Sequence, residues 1–321
     1  MSLKDVRGQD KAVDCILKGV AMGKMPHAYL FLGPGGVGRH KTAMELARLL
    51  NCAKAAGDSC DKCQSCIMIE KRSHPDVFFI EKEEGKKSIS IEAIRGLQIK
   101  FSFKPLQSGF NIAIIDGQDM TDEASNSLLK MLEEPCPNTV FILIAATQKA
   151  LLHTVASRCQ IIRFRPLSKT QAMNILMKDF AADEKEAMLL SSLSGANVKK
   201  ALLLKSEGAI SWKNAVIDNF FTRTGLEIDE DIFSANRAFS NENICDVLTF
   251  FCRDVLVRRY IKDDSLLINV DRVSDIEAYS KDPGGLKAQA GMDYINEARN
   301  AFRFNANAKL TLSLLKERLT R

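Results

Sequence analysis

Residues 28–50 constrain the fold of this chain more than any other segment. A short apolar run, Ala28-Tyr29-Leu30-Phe31-Leu32, enters a turn containing Gly33, Gly35, Gly36 and Gly38, and from Thr42 to Leu50 apolar residues recur at helical spacing. The order strand, glycine-rich turn, helix predicts one βα unit of a parallel sheet. Four further apolar runs fit buried strands: Val77 to Ile80, Asn111 to Ile115, Val140 to Ala146 and Gln160 to Phe164, with helical patterns between them. This alternation predicts an α/β fold, a mostly parallel sheet with helices on both faces. Thr121 is placed to cap a helix that carries Ala124, Leu128, Met131 and Leu132 on one face, and Pro135 ends it.

After Pro166 the period changes. Met173, Leu176, Met177 and Phe180 recur at three and four, Gly195 separates one helical segment from the next, and Ser206-Glu207-Gly208 marks a second boundary. Trp212 to Phe221, Val247 to Ile261 and Tyr294 to Leu319 continue the helical pattern, with Asp282-Pro283-Gly284-Gly285 as a breaker. The expected division is an α/β domain over 1–166, a small helical domain over 167–208 and an all-α domain over 209–321.

Composition narrows the class. A hydrophobic share of 46% with 18 Gly and 8 Pro in 321 residues excludes collagen-like, disordered and disulfide-scaffold chains. Met1-Ser2-Leu3-Lys4-Asp5 has no apolar signal core, and Val140 to Ala146 is too short to span a bilayer, which predicts a cytoplasmic protein without a membrane partner. In that reducing compartment, clustered cysteines read as a metal or redox site. The net charge of +5 falls in residues 1–165, with 23 Lys and Arg against 18 Asp and Glu, a weak excess for a dedicated nucleic-acid binder.

The loop Gly33-Pro34-Gly35-Gly36-Val37-Gly38-Arg39-His40 has the glycines of a phosphate cradle but not its working side chains. Such a loop needs a Lys to reach the β and γ phosphates and a hydroxyl to hold magnesium. Arg39 and His40 stand at those two positions. An alternative register uses Lys41 and Thr42, at the cost of the glycine before the lysine. Residual nucleotide binding and a ligand-free glycine turn both remain open readings. Asp116 ends a strand where a magnesium carboxylate belongs, but Gly117 follows instead of a water-activating acid, and Asp119 is poorly placed to replace it.

Cys52, Cys60, Cys63 and Cys66 form C-x7-C-x2-C-x2-C, four thiolates within one excursion between a helix and a strand. That set suits a closed, structural zinc site. An iron–sulfur cluster and unliganded cysteines are the rivals; Ile67 to Ser73 lacks the downstream cysteine of a ferredoxin run. Cys15, Cys136, Cys159, Cys245 and Cys252 are scattered and read as buried small hydrophobes.

Gly8-Gln9, His27 to Phe31, the Gly33 to Gly38 loop, the four cysteines, His74-Pro75-Asp76, Asn126 to Pro135 and Ser157-Arg158-Cys159 occur in that order. In this the chain resembles bacterial DNA polymerase III clamp-loader subunits of the AAA+ class. Its altered loop resembles the non-hydrolysing delta-prime branch rather than the ATP-hydrolysing tau/gamma branch, which would be expected to keep Lys-Thr and Asp-Glu. The resemblance implies a lid over 167–208, with Lys199 near the second sensor and Thr147 near the first. It also implies a collar over 209–321 containing Asn305-Ala306-Asn307. For Arg158 it implies an arginine finger reaching the nucleotide site of a neighbouring subunit; on its own, the tripeptide reads as a surface arginine. The partners implied are tau/gamma and delta subunits, with the sliding clamp and primed DNA reached through the complex. Two other functions compete: an active ATPase using Lys41, Thr42 and Asp116, and a zinc-ribbon module that binds nucleic acid directly.

Overall fold

The apolar runs become five strands: β1 (Ala28–Leu32), β2 (Val77–Ile80), β3 (Asn111–Ile115), β4 (Thr139–Ala145) and β5 (Gln160–Arg163). They form one sheet in the order β2-β3-β4-β1-β5, with every neighbouring pair parallel. In this computed structural model residues 3–54, 57–83, 85–107, 109–222, 239–281 and 284–320 are described. The chain divides into two compact units, Met1–Leu167 and Ser168–Arg321.

In the first unit the sheet is joined by α1 (Asp10–Ala21), α2 (Arg39–Asn51), α3 (Gln64–Glu70), α4 (Ile91–Phe101), α5 (Asp122–Glu133) and α6 (His153–Ala156). Every residue of β1, β3 and β4 is buried, as expected of strands covered on both faces. Alternation sends Leu30, Leu32, Phe141 and Leu143 to one face, where they pack against Ile94, Leu97 and Phe101 of α4 and Leu128 and Leu132 of α5. Phe31 points to the other face and packs on Phe164, ring centroids 5.1 Å apart. Thr121 caps α5 as expected, its hydroxyl accepting from the Ala124 amide.

The second unit contains α7 (Lys169–Phe180), α8 (Glu184–Leu193), α9 (Val198–Ser206), α10 (Ala209–Ile217), α11 (Asn241–Tyr260), α12 (Val273–Lys281), α13 (Gly284–Arg303) and α14 (Ala308–Thr320). Ser168 and Ser240 close capping boxes on α7 and α11, and Asp183 and Asn197 cap α8 and α9. The fully buried Asp254 accepts from the backbone amides of Ile268 and Asn269, which fixes the segment after α11. None of the described helices is long and apolar enough to cross a membrane.

Two details of the helical half differ from expectation. The periodic stretch from Tyr294 to Leu319 is two helices, because Asn305 adopts a left-handed conformation (φ 58°) and the Asn307 carboxamide then caps α14 through the Leu310 amide. Asparagine tolerates that region through its short polar side chain. Gly284 and Gly285 open α13 rather than interrupt a helix; Asp282 and Pro283 of the expected breaker lie outside the described residues.

A buried ionic cluster ties α2 to the cysteine-bearing excursion. Arg48, 3% exposed, reaches Glu45 and Asp61 with Nη1 at 3.3 Å each, and Glu70 of α3 with Nη2 at 3.2 Å. Burial raises the Glu45 carboxyl to about 7 against the opposing pull of Arg48. Between about 4.5 and 7 the folded chain keeps a proton that the unfolded chain releases, so this group's contribution to stability falls as pH rises through that window. Glu45→Gln removes the linkage while keeping a hydrogen-bond acceptor for Arg48. Its thermal midpoint relative to wild type should rise from about pH 5 to about pH 8; a constant difference would show that Glu45 is ionised throughout.

Candidate functional site

The glycine loop sits at the carboxyl ends of the central strands, the position at which open α/β sheets present ligand sites. Gly33 leaves β1 so close to the chain after β5 that a Cβ there would lie 2.6 Å from the Phe164 carbonyl oxygen. Gly38 takes a left-handed φ of 98° at the N-terminus of α2, and its carbonyl accepts from both the amide and the hydroxyl of Thr42, at 2.8 and 2.9 Å. Gly35 lies exposed between them. The glycine turn between strand and helix is therefore formed as expected.

Its side chains are turned to one another. His40 Nε2 and Asp116 Oδ1 are 2.6 Å apart, joining the magnesium-hydroxyl position on α2 to the carboxylate at the end of β3. Two ligands bound side by side on an octahedral cation with bonds of about 2.0–2.1 Å would stand about 3 Å apart. The pair is thus a hydrogen bond between two groups that stand where ligands of such an ion belong. Arg39 is 6% exposed, and its Nη1 has no partner among the described residues. Burial lowers its pKa, opposed by the charge of Asp116. Thr42 is fully buried with its hydroxyl committed to Gly38, and Lys41 lies near enough to Glu45 to act on its charge. Asp119 faces Lys82, 3.7 Å away.

One acid at this site was not singled out from the sequence. Glu81, directly after β2, brings a carboxylate oxygen within 4.8 Å of the His40 and Asp116 donor atoms. Two cations already serve these acids, Arg39 beside Asp116 and Arg72 at 2.9 Å from Glu81. The signal was its position: an acid one residue beyond a strand that neighbours β3.

Arg158 follows α6 and is exposed. Its guanidinium donates to the Thr154 carbonyl at 2.8 Å and to Glu133 Oε1 at 2.5 Å, which anchors it to the end of α5. Lys199 is exposed in the first turn of α9, in the second unit. Thr147 is exposed just beyond β4.

The four cysteines converge. Their sulfur atoms all lie within 4.8 Å of one another, and Cys52 Sγ is 3.9 Å from Cys63 Sγ. Zinc–sulfur bonds of about 2.3 Å in a tetrahedron set sulfurs about 3.8 Å apart, so the set fits a zinc ion. Backbone amides reinforce it: Cys60 N–H donates to Cys52 Sγ, Cys63 N–H to Cys60 Sγ and Cys66 N–H to Cys63 Sγ, at 3.4–3.5 Å. The amides of Lys62 and Cys63 bring the Cys60 thiol down to about 6, whereas burial raises Cys52 and Cys66.

Beside this cluster, Ser65, His74 and Asp76 suggest a nucleophile, a base and an acid, but their hydrogen bonds exclude that use. The Asp76 amide donates to His74 Nδ1 at 3.1 Å, leaving Nε2 to carry the proton and donate to Ser65 Oγ at 2.9 Å. The Asp76 carboxylate is committed elsewhere, accepting from the amides of Leu106 and Gln107. Burial holds His74 below the usual imidazole value, in keeping with a neutral structural ring.

A family model described as DNA polymerase III, delta subunit matches residues 8–168, half of the chain. The chain is 34% identical over 197 residues to DNA polymerase III subunit delta' of Bacillus subtilis, covering 61% of this chain and 59% of the relative. It is 33% identical over 197 residues to the protein of the same name in Pseudomonas aeruginosa, covering 60% of each. A longer alignment, 25% identical over 277 residues, reaches DNA polymerase III subunit gamma of Buchnera aphidicola, with 84% of this chain and 74% of that one covered. The chain thus spans about three fifths of the length of the first two relatives.

The loop geometry yields a direct test. Arg39→Lys with His40→Ser restores the lysine and the hydroxyl and releases Asp116. The double variant should bind a fluorescent ATP analogue at least about tenfold more tightly than wild type, and only with magnesium. Equal affinities would show that the His40–Asp116 bond does not close the site.

Proposed function

Because the chain belongs to the DNA polymerase III delta-subunit family, we propose that it is the non-hydrolysing delta-prime subunit of a clamp loader. The observation that carries this reading is the His40–Asp116 bond beside a buried Arg39, which puts the protein's own groups where a magnesium nucleotide needs a free hydroxyl and carboxylate. Phosphoryl transfer depends on those electrostatic groups, so the subunit hydrolyses nothing itself.

Its contribution is structural and in trans. Arg158 would serve as an arginine finger for a neighbouring tau/gamma subunit, exchanging the Glu133 carboxylate for phosphate oxygens. Residues 167–208, with Lys199, would form the lid and 209–321 the collar of an assembly that also includes delta. Through that assembly, working in the cytoplasm, the chain would help open the sliding clamp and load it on primed DNA. The competing ATPase reading through Lys41, Thr42 and Asp116 is weakened by the burial of the Thr42 hydroxyl.

Zinc held by Cys52, Cys60, Cys63 and Cys66 would close the excursion of residues 52–73. Four protein ligands leave no open position, so the ion would stabilise the fold rather than react.

The chain alone should show no ATPase activity. In a reassembled complex with tau/gamma and delta subunits, Arg158→Ala should lower DNA-stimulated ATPase turnover, while assembly and thermal unfolding stay unchanged. Arginine fingers are worth about 10³–10⁵ in rate at the site they serve, so unchanged turnover would remove the assignment. Metal analysis should return about one zinc per chain, and its chelation should lower the thermal midpoint; an iron chromophore would contradict this.

A further inference from the structure

The sheet has an open edge with a cavity along it. β2 is the outermost strand beside β3, and a cavity of about 690 Å³ runs along all four of its residues to Phe103 and Leu106 beyond α4. The Asp76 and Ile80 carbonyls accept from Ile112 and Asp116 and therefore face β3. The two-residue alternation of a parallel ladder then turns the amide and carbonyl of Phe79 outward, where they have no partner among the described residues.

Cations bracket this edge on both faces of the sheet. Phe78 packs on Phe101 with the Lys100 ammonium 4.7 Å from its ring centroid, on the α4 face. Phe79 points to the opposite face, under the Arg72 guanidinium at 4.8 Å. Lys104 adds a third cation to the lining. Of the neighbouring acids, Glu81 is already paired with Arg72 and the Asp76 carboxylate is committed to the amides of Leu106 and Gln107. The Glu81 pairing neutralises Arg72 as well, whereas Lys100 and Lys104 have no carboxylate partner among the described residues, so the uncompensated positive charge of the edge lies on these two lysines.

Lysines beside a short edge strand commonly serve to keep other strands away. Two large apolar side chains at the same edge act in the opposite sense: Phe103 is 67% exposed and Leu106 79%. We propose that this groove binds an extended acidic segment of a partner protein, which adds to β2 as a further strand. Its backbone would pair with Phe79, and successive side chains would fall on alternate faces. An acidic residue would then meet Lys100 and Lys104, its neighbour on the opposite face would share Arg72 with Glu81, and an apolar residue would cover Phe103 and Leu106. A basic groove with aromatics could also suit single-stranded nucleic acid, which stacks bases on ring faces. Here one face of each phenylalanine is covered by a cation and Phe78 is packed on Phe101, so the rings offer no such platform.

The test uses the full chain and a fluorescein-labelled octapeptide, Val-Asp-Glu-Val-Asp-Glu-Val-Asp, read by anisotropy. Replacing its acids by Lys, or methylating alternate backbone nitrogens, should each weaken binding by at least about tenfold. Lys100→Glu with Lys104→Glu, and separately Phe103→Ala, all at exposed positions, should do the same. Hydrogen exchange at the Phe79 amide should slow when the acidic peptide is bound. The proposal is overturned if the acidic peptide fails to bind, if the methylated and basic peptides bind as well as it does, or if oligothymidine competes for the groove while backbone methylation has no effect. None of these results depends on the clamp-loader reading.

Discussion

Gly33 stands where the sheet and the loop compete for the same space. β1 is held between β4 and β5, so its end must pass the chain leaving β5, and the Phe164 carbonyl occupies the volume a side chain would need. Only a residue without Cβ makes that passage without moving one strand or the other. Once it is made, the turn to Gly38 and the start of α2 follow, and α2 delivers His40 to the end of β3. The geometry of the site is thus a consequence of strand order.

What occupies the site is internal charge. Lysine and magnesium supply positive charge to an active phosphate loop; here Arg39 lies buried beside Asp116 and His40 hydrogen-bonds to it. The loop keeps its backbone shape while its polar side chains are used by one another. Arg158 has the opposite character, exposed at the rim of the same unit and held only by a surface carboxylate and a carbonyl. Such exposed pairs contribute at most about 1 kcal/mol, so the guanidinium can be drawn to a better acceptor with little loss.

The strands were legible because each is a short apolar run bounded by glycines or polar residues, and buried parallel strands read that way. The cysteine cluster was legible because its ligands lie within one short segment. Pairings between distant segments were not. Glu81 meets His40, and Glu133 meets Arg158, only because the sheet and the α5–α6 pair bring them together. The break at Asn305 was hidden because the apolar period of the surrounding stretch runs on through it. His74 was visible as part of a tripeptide, but its structural role depends on which ring nitrogen accepts a backbone amide, and spacing does not encode that.

The Arg48 cluster has an asymmetric tolerance to change. One guanidinium serves three carboxylates, so losing Asp61 or Glu70 still leaves it two partners, and the remaining partners mask much of the first such loss while the second is felt more fully. Losing Arg48 instead strands Glu45 in a buried setting with its principal counter-charge gone. Under sequence drift the acids can therefore be exchanged one at a time, whereas the arginine can change only after the acids have gone. Substitutions around this cluster will be order-dependent, and a catalogue of single changes will understate how strongly α2 is coupled to the cysteine excursion.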